Sequence, residues 1–223
     1  MSLDVVGLSK LLQIIYASKS RQTALLRTDI RSDIRKSAGE DTSTGGDFYG
    51  PFWADVKGHV AGFLDLKVAT EGRIAKNERR RKLYTLLQQN FLLWWEQKRR
   101  LRNEPFTLIN ENIKARLVLD GLGTVKIDNT LCITVGEDGH RIFYPYFCES
   151  PALSAEAARL GLWAMSQAIG KYALEDMRLL DVARGRSFSV LDTPLQGNES
   201  ELFHEKYAEA RAAWQALRDE YDV

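Results

Sequence analysis

Two groups of basic residues are the part of this sequence whose residue types best suit binding chemistry. They are Arg79, Arg80, Arg81 and Lys82, followed by Lys98, Arg99, Arg100 and Arg102. About sixteen residues separate the groups, or roughly 24 Å along a helix. Arginine and lysine neutralise nucleic-acid phosphates, and such binding is independent of sequence and sensitive to salt. The pattern predicts a helix that contacts nucleic acid or an acidic protein partner.

The alternative interpretation of the basic groups is a solvated helix. Consecutive arginines point in different directions around a helix, so they cannot all meet one ligand. Their long stems would then cover the core, and their charges would pair with acidic segments. The acidic segment 199–223 is a candidate, since it holds seven acidic and three basic residues. The sequence leaves both interpretations open.

Three carboxylates are the candidates for catalytic chemistry. They are Asp128, Glu149 and Asp181. Asp181 interrupts an apolar segment, and the nearby Arg184 and Arg186 could hold a phosphate while carboxylates hold a metal ion. This combination would suit a metal-dependent nuclease. The simpler interpretation is an edge strand in which Arg178 faces outward and Asp181 pairs with an arginine, because charged side chains protect sheet edges.

Other catalytic and cofactor chemistries lack the residues that they need. The segment 121–124 has neither the third glycine nor the following helix of a dinucleotide-binding fingerprint. The three histidines are too widely spaced along the sequence to suggest a zinc site or a histidine-based triad. We therefore expect no cofactor and no metal ion, and a protein that binds rather than catalyses.

The overall composition hides the basic groups. The chain has 223 residues, 44% of them hydrophobic and 27% charged, and its net charge is only +1. Residues 69–103 nevertheless hold ten basic and three acidic residues, a local net charge of +7. Binding to a polyanion should therefore be local to this segment and weak at high salt.

The N-terminal segment and the cysteines bear on where the protein resides. The apolar run 11–16 is interrupted by Gln13 and is too short for a signal or membrane segment. Cys132 and Cys148 lack the two-residue spacing of zinc and redox motifs. Both are predicted to be core residues in a reducing compartment. We expect a cytoplasmic protein.

The elements that must position these residues change character near residue 105. Residues 1–105 predict a helical region, with helices at 8–16 and 23–36 and one long helix at 69–103 that carries the basic groups. The segment 48–53 places four aromatic residues around a Gly-Pro turn. It predicts a hydrophobic plug of the core or, alternatively, a platform on which a ligand stacks.

Residues 106–223 predict an α+β region, and we expect the two regions to form one integrated domain. Alternating apolar residues and turn signals predict an antiparallel meander over 125–127, 131–135 and 142–146. Segment 113–119 fits a strand and a short helix equally well. A helix capped by Ser154, strands at 177–183 and 186–191, and a closing helix at 199–221 complete the α+β fold.

The segment 142–147 carries aromatic side chains on both faces and contains Pro145. Proline is confined to edge strands and bulges, so we expect this strand at a sheet edge or a bulge. Its two faces would be covered either by a protein partner, as in a subunit of a complex or an oligomer, or by the chain's own helices.

The order of elements over residues 106–191, with helix, strand hairpin, helix and strand, is similar to the core of restriction-endonuclease-like nucleases. Those nucleases hold magnesium with an acidic residue in one strand and a Glu-any-Lys pair in the next. Asp128 matches the first position, but segment 141–147 lacks the pair, and Glu149 follows it. The resemblance implies a catalytically degenerate copy that binds or scaffolds.

Overall fold

The structure is a computed structural model, and it describes residues 3–39, 48–102, 105–109, 113–137 and 139–221. For residues 36 and 98–102 only the backbone is described. Within these ranges the chain forms seven α-helices and two mixed β-sheets. The α+β class predicted from the sequence is therefore confirmed.

The helices are α1 (Leu8–Tyr16), α2 (Lys19–Ser37), α3 (Tyr49–Val60), α4 (Leu66–Lys76), α5 (Arg81–Arg102), α6 (Ala155–Ala168) and α7 (Glu199–Asp219). The strands are β1 (Val5–Gly7), β2 (Phe106–Leu108), β3 (Ala115–Leu119), β4 (Gly123–Ile127), β5 (Leu131–Val135), β6 (Gly139–Tyr146), β7 (Met177–Asp181) and β8 (Arg186–Phe188). Short 3-10 turns lie at Glu78–Arg80, Leu174–Asp176 and Val182–Arg184.

A five-stranded sheet in the order β2-β5-β6-β7-β8 separates two hydrophobic cores. Successive side chains of a strand point to opposite faces of the sheet. Phe143 and Leu180 therefore pack with α3, α4 and α5, whereas Tyr144 and Leu179 pack with α1, α6 and α7. The smaller sheet, in the order β1-β4-β3, belongs to the second of these cores.

Helix α7 packs against the first elements of the chain. The hydroxyl of Tyr207 donates to the carbonyl of Leu3. The indole N–H of Trp214 donates to the buried carboxylate of Asp29 at 3.2 Å, and Lys10 forms an ion pair with the same carboxylate. These contacts fix α7 against α2 and the residues before β1, and the ion pair joins α1 to the same carboxylate.

The single helix predicted for 69–103 is wrong, because the chain forms two helices there. Asn77 has an extended backbone conformation with φ −155° and ψ 98°, and its side-chain oxygen accepts the N–H of Arg79 at 3.2 Å. Asparagine side chains compete with the helical hydrogen bonds of the backbone. The break ends α4 and places Arg79 in a 3-10 turn that leads directly into α5.

The predicted three-stranded meander is divided between the two sheets. Strands β5 and β6 form the expected hairpin, but β4 pairs with β3 and β1. Asn129 has a positive φ of 60°, and Trp53 donates its indole N–H to the Asn129 carbonyl. This turn carries the chain from the smaller sheet into the larger one. Segment 113–119 contains strand β3.

The edge positions predicted for 142–147 and 177–183 are wrong, since β6 and β7 are adjacent interior strands. Every residue of β7 is buried, including Arg178, which we expected to face outward. Pro145 is tolerated because β5 begins at Leu131, opposite Phe143, so that residues 144–146 of β6 pair only with β7. Helices of the same chain cover both faces of β6.

Other local predictions are confirmed. The Ser154 hydroxyl accepts the N–H of Ala157 at 3.1 Å and so caps α6. Cys132 and Cys148 are buried free thiols. In the part of the chain that the structure describes, no helix combines the length and apolarity needed to cross a bilayer.

Candidate nucleic-acid interface

The first basic group, residues 79–82, lies where α5 begins, and we call it the basic turn. Arg79, Arg81 and Lys82 are exposed, whereas Arg80 is half-buried. The N-terminus of a helix carries a partial positive charge, and the first turn of α5 has no acidic residue to offset it. The basic turn therefore concentrates positive potential at one exposed point, at some cost to helix stability.

Two of these arginines have defined partners. Arg81 donates two hydrogen bonds to Glu78, and this contact holds the pKa of the Glu78 carboxyl below its usual range. The guanidinium carbon of Arg80 lies 5.5 Å from the ring centre of Phe48 and 5.4 Å from that of Tyr84. The Arg80 Nε is buried, and among the described residues it has no hydrogen-bond partner.

The acidic C-terminal segment pairs with other parts of the chain. Glu199 forms an ion pair with Arg159 at 2.8 Å, and Glu220 forms one with Arg27 at 3.2 Å. Within residues 199–221, no described side chain forms an ion pair with the basic turn. Two carboxylates of the segment that the solvated-helix interpretation offered are thus engaged elsewhere.

The second basic group occupies the last turns of α5. The side chains of Lys98, Arg99, Arg100 and Arg102 lie outside the described residues, so their prediction stays a prediction. The exposed residues of α5 between the two groups are Gln89, Leu93, Glu96 and Gln97. They are neutral or acidic, and they interrupt any continuous basic track along this helix.

Asp181 and Arg184 form an ion pair where β7 ends. The Arg184 Nη1 lies 3.2 and 3.1 Å from the two carboxylate oxygens, and the Leu153 N–H donates to the same carboxylate at 3.3 Å. Burial raises the pKa of the Asp181 carboxyl, although Arg184 and the Leu153 N–H oppose this effect. The pairing with an arginine is the one that the simpler interpretation of Asp181 predicted.

Arg184 also ties down the loop that follows β6. It donates to the carbonyls of Cys148, at 3.1 Å, and of Glu149. Arg186 is exposed, and its guanidinium carbon lies 4.5 Å from the ring centre of Phe188. The structure therefore brings Arg184 and Arg186 to the same end of β7 and β8.

The three candidate carboxylates have different surroundings. Arg184 brings the backbone of Glu149 next to Asp181, whereas Asp128 lies in the turn between β4 and β5, near Lys57. Burial lowers the pKa of Lys57, and Asp128 opposes this effect. Among the residues that the structure describes, no three His, Cys, Asp or Glu side chains are arranged to hold a metal ion.

The aromatic segment 48–53 has divided roles. Phe52 and Trp53 are core residues, as the plug interpretation predicted. Tyr49 is instead 38% exposed, and its ring stacks on Phe147 with centres 4.9 Å apart and planes inclined by 12°. Tyr49 and Trp53 are four positions apart and so lie on the same side of α3. This spacing alone would predict that Tyr49 is buried like Trp53. Tyr49 is the first residue of α3, and it does not belong to the core that Phe52 and Trp53 join.

A cleft of about 800 Å³ lies between the α3–α4 connection, α5 and the edge strand β2. Trp95 and Phe106 contribute to its lining, and Asp65, Lys67 and Glu96 give it charges of both signs. This mixture does not match a polyanion, so the basic turn remains the stronger candidate.

Comparisons of the chain with protein-family models, with curated proteins and with solved structures find no match. The similarity in element order to restriction-endonuclease-like nucleases gains no support from them. The functional argument therefore depends on the geometry of the chain itself.

Proposed function

We propose that this is a non-enzymatic cytoplasmic protein that binds nucleic acid through its basic turn. The observation that carries the proposal is the exposure of Arg79, Arg81 and Lys82 at the positive end of α5. Glu199 and Glu220 of the acidic segment pair with Arg159 and Arg27 instead, and Arg81 pairs with the adjacent Glu78. Such a group favours phosphates of any sequence, with an affinity that falls as salt rises.

The surroundings of Asp181 favour binding over metal-dependent cleavage. A metal-dependent nuclease needs carboxylate oxygens that can reach both the metal ion and the substrate phosphate. The Asp181 carboxylate is buried, and both of its oxygens lie within hydrogen-bond distance of Arg184. This supports a structural role for Asp181 in holding the loop after β6.

The test is a salt titration of binding to labelled oligonucleotides. The triple variant Arg79→Ala/Arg81→Ala/Lys82→Ala should bind more weakly than the wild type, and the slope of log affinity against log salt should fall by about 2. The matched control removes three exposed basic residues from α2 and leaves the basic turn intact. It is Lys19→Ala/Arg21→Ala/Arg31→Ala.

The control variant should bind like the wild type if the basic turn is the site. Equal losses in both triple variants would show attraction to overall charge and would refute the proposal. Absence of binding at low salt would refute it as well. A polyglutamate peptide that binds as tightly as the oligonucleotide at the same salt would indicate an acidic protein partner instead.

A further inference from the structure

We infer that the nucleic acid is single-stranded and that it runs from the basic turn across the ring of Tyr49 towards Arg184 and Arg186. This inference rests on the proposed function, because it names the class of ligand that the same surface takes. It is carried by a strip of connected residues in which an exposed aromatic ring lies between two basic positions.

A series of contacts joins the basic turn to Arg184. The guanidinium of Arg80 lies over the ring of Phe48, and Phe48 precedes Tyr49 in the chain. The Tyr49 ring stacks on Phe147, and the carbonyl of the residue after Phe147 accepts a hydrogen bond from Arg184. The strip therefore passes from one basic position to the other with Tyr49 in between.

Helix α5 gives an approximate length for this strip. The Asn90 side chain donates to the carbonyl of Ala183, the residue before Arg184. Asn90 follows Arg80 by ten positions, which corresponds to about 15 Å along a helix. A single-stranded nucleic acid that contacts both basic positions therefore needs only a few nucleotides between them. Single-strand-binding proteins have binding sites of this length.

Tyr49 has the properties of a stacking platform. Its ring is 38% exposed, and its parallel packing on Phe147 fixes the direction in which it faces. Phe147 is itself buried, and Trp53 packs edge-on against it with ring centres 5.6 Å apart. A base that stacks on Tyr49 therefore meets a surface whose orientation is already set.

Stacking on Tyr49 distinguishes single strands from duplexes. The bases of a duplex are stacked inside the helix, so an aromatic side chain reaches them only after they are unpaired. Phosphate contacts alone do not make this distinction, since both forms carry the same backbone. Proteins that bind single strands without sequence preference combine basic grooves with aromatic rings, and the strip holds both kinds of residue.

The charges around Tyr49 are mixed. The Arg184 side chain is 37% exposed, but it shares its charge with Asp181. Burial raises the pKa of the Tyr49 hydroxyl, and the nearby Cys148 and Glu149 add to this effect. Glu149 is exposed and should repel a phosphate that passes Tyr49, which supplies a second way to test the path.

The main experiment compares binding of one sequence as a single strand and as a duplex. Tyr49→Leu should weaken single-strand binding by about 5- to 150-fold, the usual loss for one stacked base. Duplex binding and the salt slope should not change. Tyr49→Phe, which keeps the ring, should bind like the wild type. Tyr221→Leu is the matched control. Tyr221 is 37% exposed, almost the same fraction as Tyr49, and it follows α7 instead of belonging to the strip.

A second variant does not depend on the packing of Tyr49. Glu149→Gln removes a repelling charge from the surface, and it should tighten single-strand binding by about twofold at low salt. An unchanged affinity, or an equal loss of single-strand and duplex binding in Tyr49→Leu, would overturn the inference. If the basic-turn variant loses binding while Tyr49→Leu does not, the inference fails and the proposed function stands. If the wild type binds neither form, the proposed function fails.

Discussion

Replacement of Arg184 by Met should destabilise the protein at neutral pH. The variant removes the counter-charge of the Asp181 carboxylate, and Asp181 is only 1% exposed. The Leu153 N–H, at 3.3 Å, and the backbone N–H of residue 184 then remain as hydrogen-bond donors to this carboxylate. The loop after β6 also loses the two carbonyl contacts that Arg184 makes.

The size of the effect follows from the burial of the two partners. Removal of one member of a buried ion pair typically costs about 3–5 kcal/mol. Water screens part of this interaction, because the Arg184 side chain is 37% exposed. We therefore expect a loss of about 1–3 kcal/mol in the free energy of unfolding. The variant Asp181→Asn/Arg184→Met should be more stable than Arg184→Met alone, because it removes the buried charge as well.

The effect should depend on pH with a definite sign. Burial already raises the pKa of Asp181, and the loss of Arg184 should raise it further. A carboxyl whose pKa is raised in the folded state stabilises the protein below its unfolded pKa of about 3.9, and this contribution is lost as the pH rises through the folded pKa. The deficit of Arg184→Met should thus be small near pH 4 and largest at pH 7.

Urea unfolding of the wild type and these variants at both pH values measures the effect. The reasoning is refuted if Arg184→Met has the same cost at both pH values. It is also refuted if the double variant is less stable than Arg184→Met. Magnesium- or manganese-dependent cleavage that disappears in Asp181→Asn would instead assign the carboxylate to catalysis.

Two further predictions concern positions with little freedom to adapt. Gly185→Ala should cost about 1–3 kcal/mol in urea unfolding, because Gly185 has a φ of 58° and an added Cβ would lie 2.6 Å from the Asn90 carbonyl oxygen. An unchanged midpoint would contradict this. Glu199→Gln should cost about 3–5 kcal/mol at pH 7, because it removes the counter-charge of the buried Arg159 and leaves it only the neutral Asn198 Oδ1, at 3.0 Å, as a described acceptor from another side chain. Burial favours a raised pKa for Glu199, but the Gln196 N–H, other backbone N–H groups and Arg159 hold it below its usual value. The stabilisation that ionised Glu199 provides should therefore be present above about pH 4.5 and fade as the pH falls further. Thermal melts would refute this if Glu199→Gln lost the same stability at acid and at neutral pH.

Regular periodicity made much of the fold predictable. The stripe of α5, the Ser154 cap of α6 and the hairpin of β5 and β6 follow from local spacing and turn residues. The break at Asn77 did not, because it depends on one side chain that bonds to the backbone. The separation of β4 from the β5–β6 hairpin depends on the turn at Asn129. Trp53 of α3, which is distant in sequence, donates a hydrogen bond to this turn. Local patterns carry no information about such a contact.

The candidate site was predictable only in its parts. The spacing of basic residues pointed to the basic turn, and the short distance in sequence between Asp181 and Arg184 anticipated their ion pair. The strip between them exists because α3 packs on the end of β6, which stacks Tyr49 on Phe147. These two residues are almost a hundred positions apart in the sequence. The tertiary fold alone brings them together.

The packing of α7 limits when the protein can fold during its synthesis. The hydroxyl of Tyr207 and the carbonyl of Leu3 are joined across 204 positions of the chain, and Trp214 reaches back to Asp29 across 185. Contacts with such large separations form late, because the intervening chain must first be made and closed into a loop. Until α7 emerges from the ribosome, the apolar face of α1 lacks one of its covers. The first two helices should therefore expose apolar surface of the kind that chaperones bind until α7 has been made.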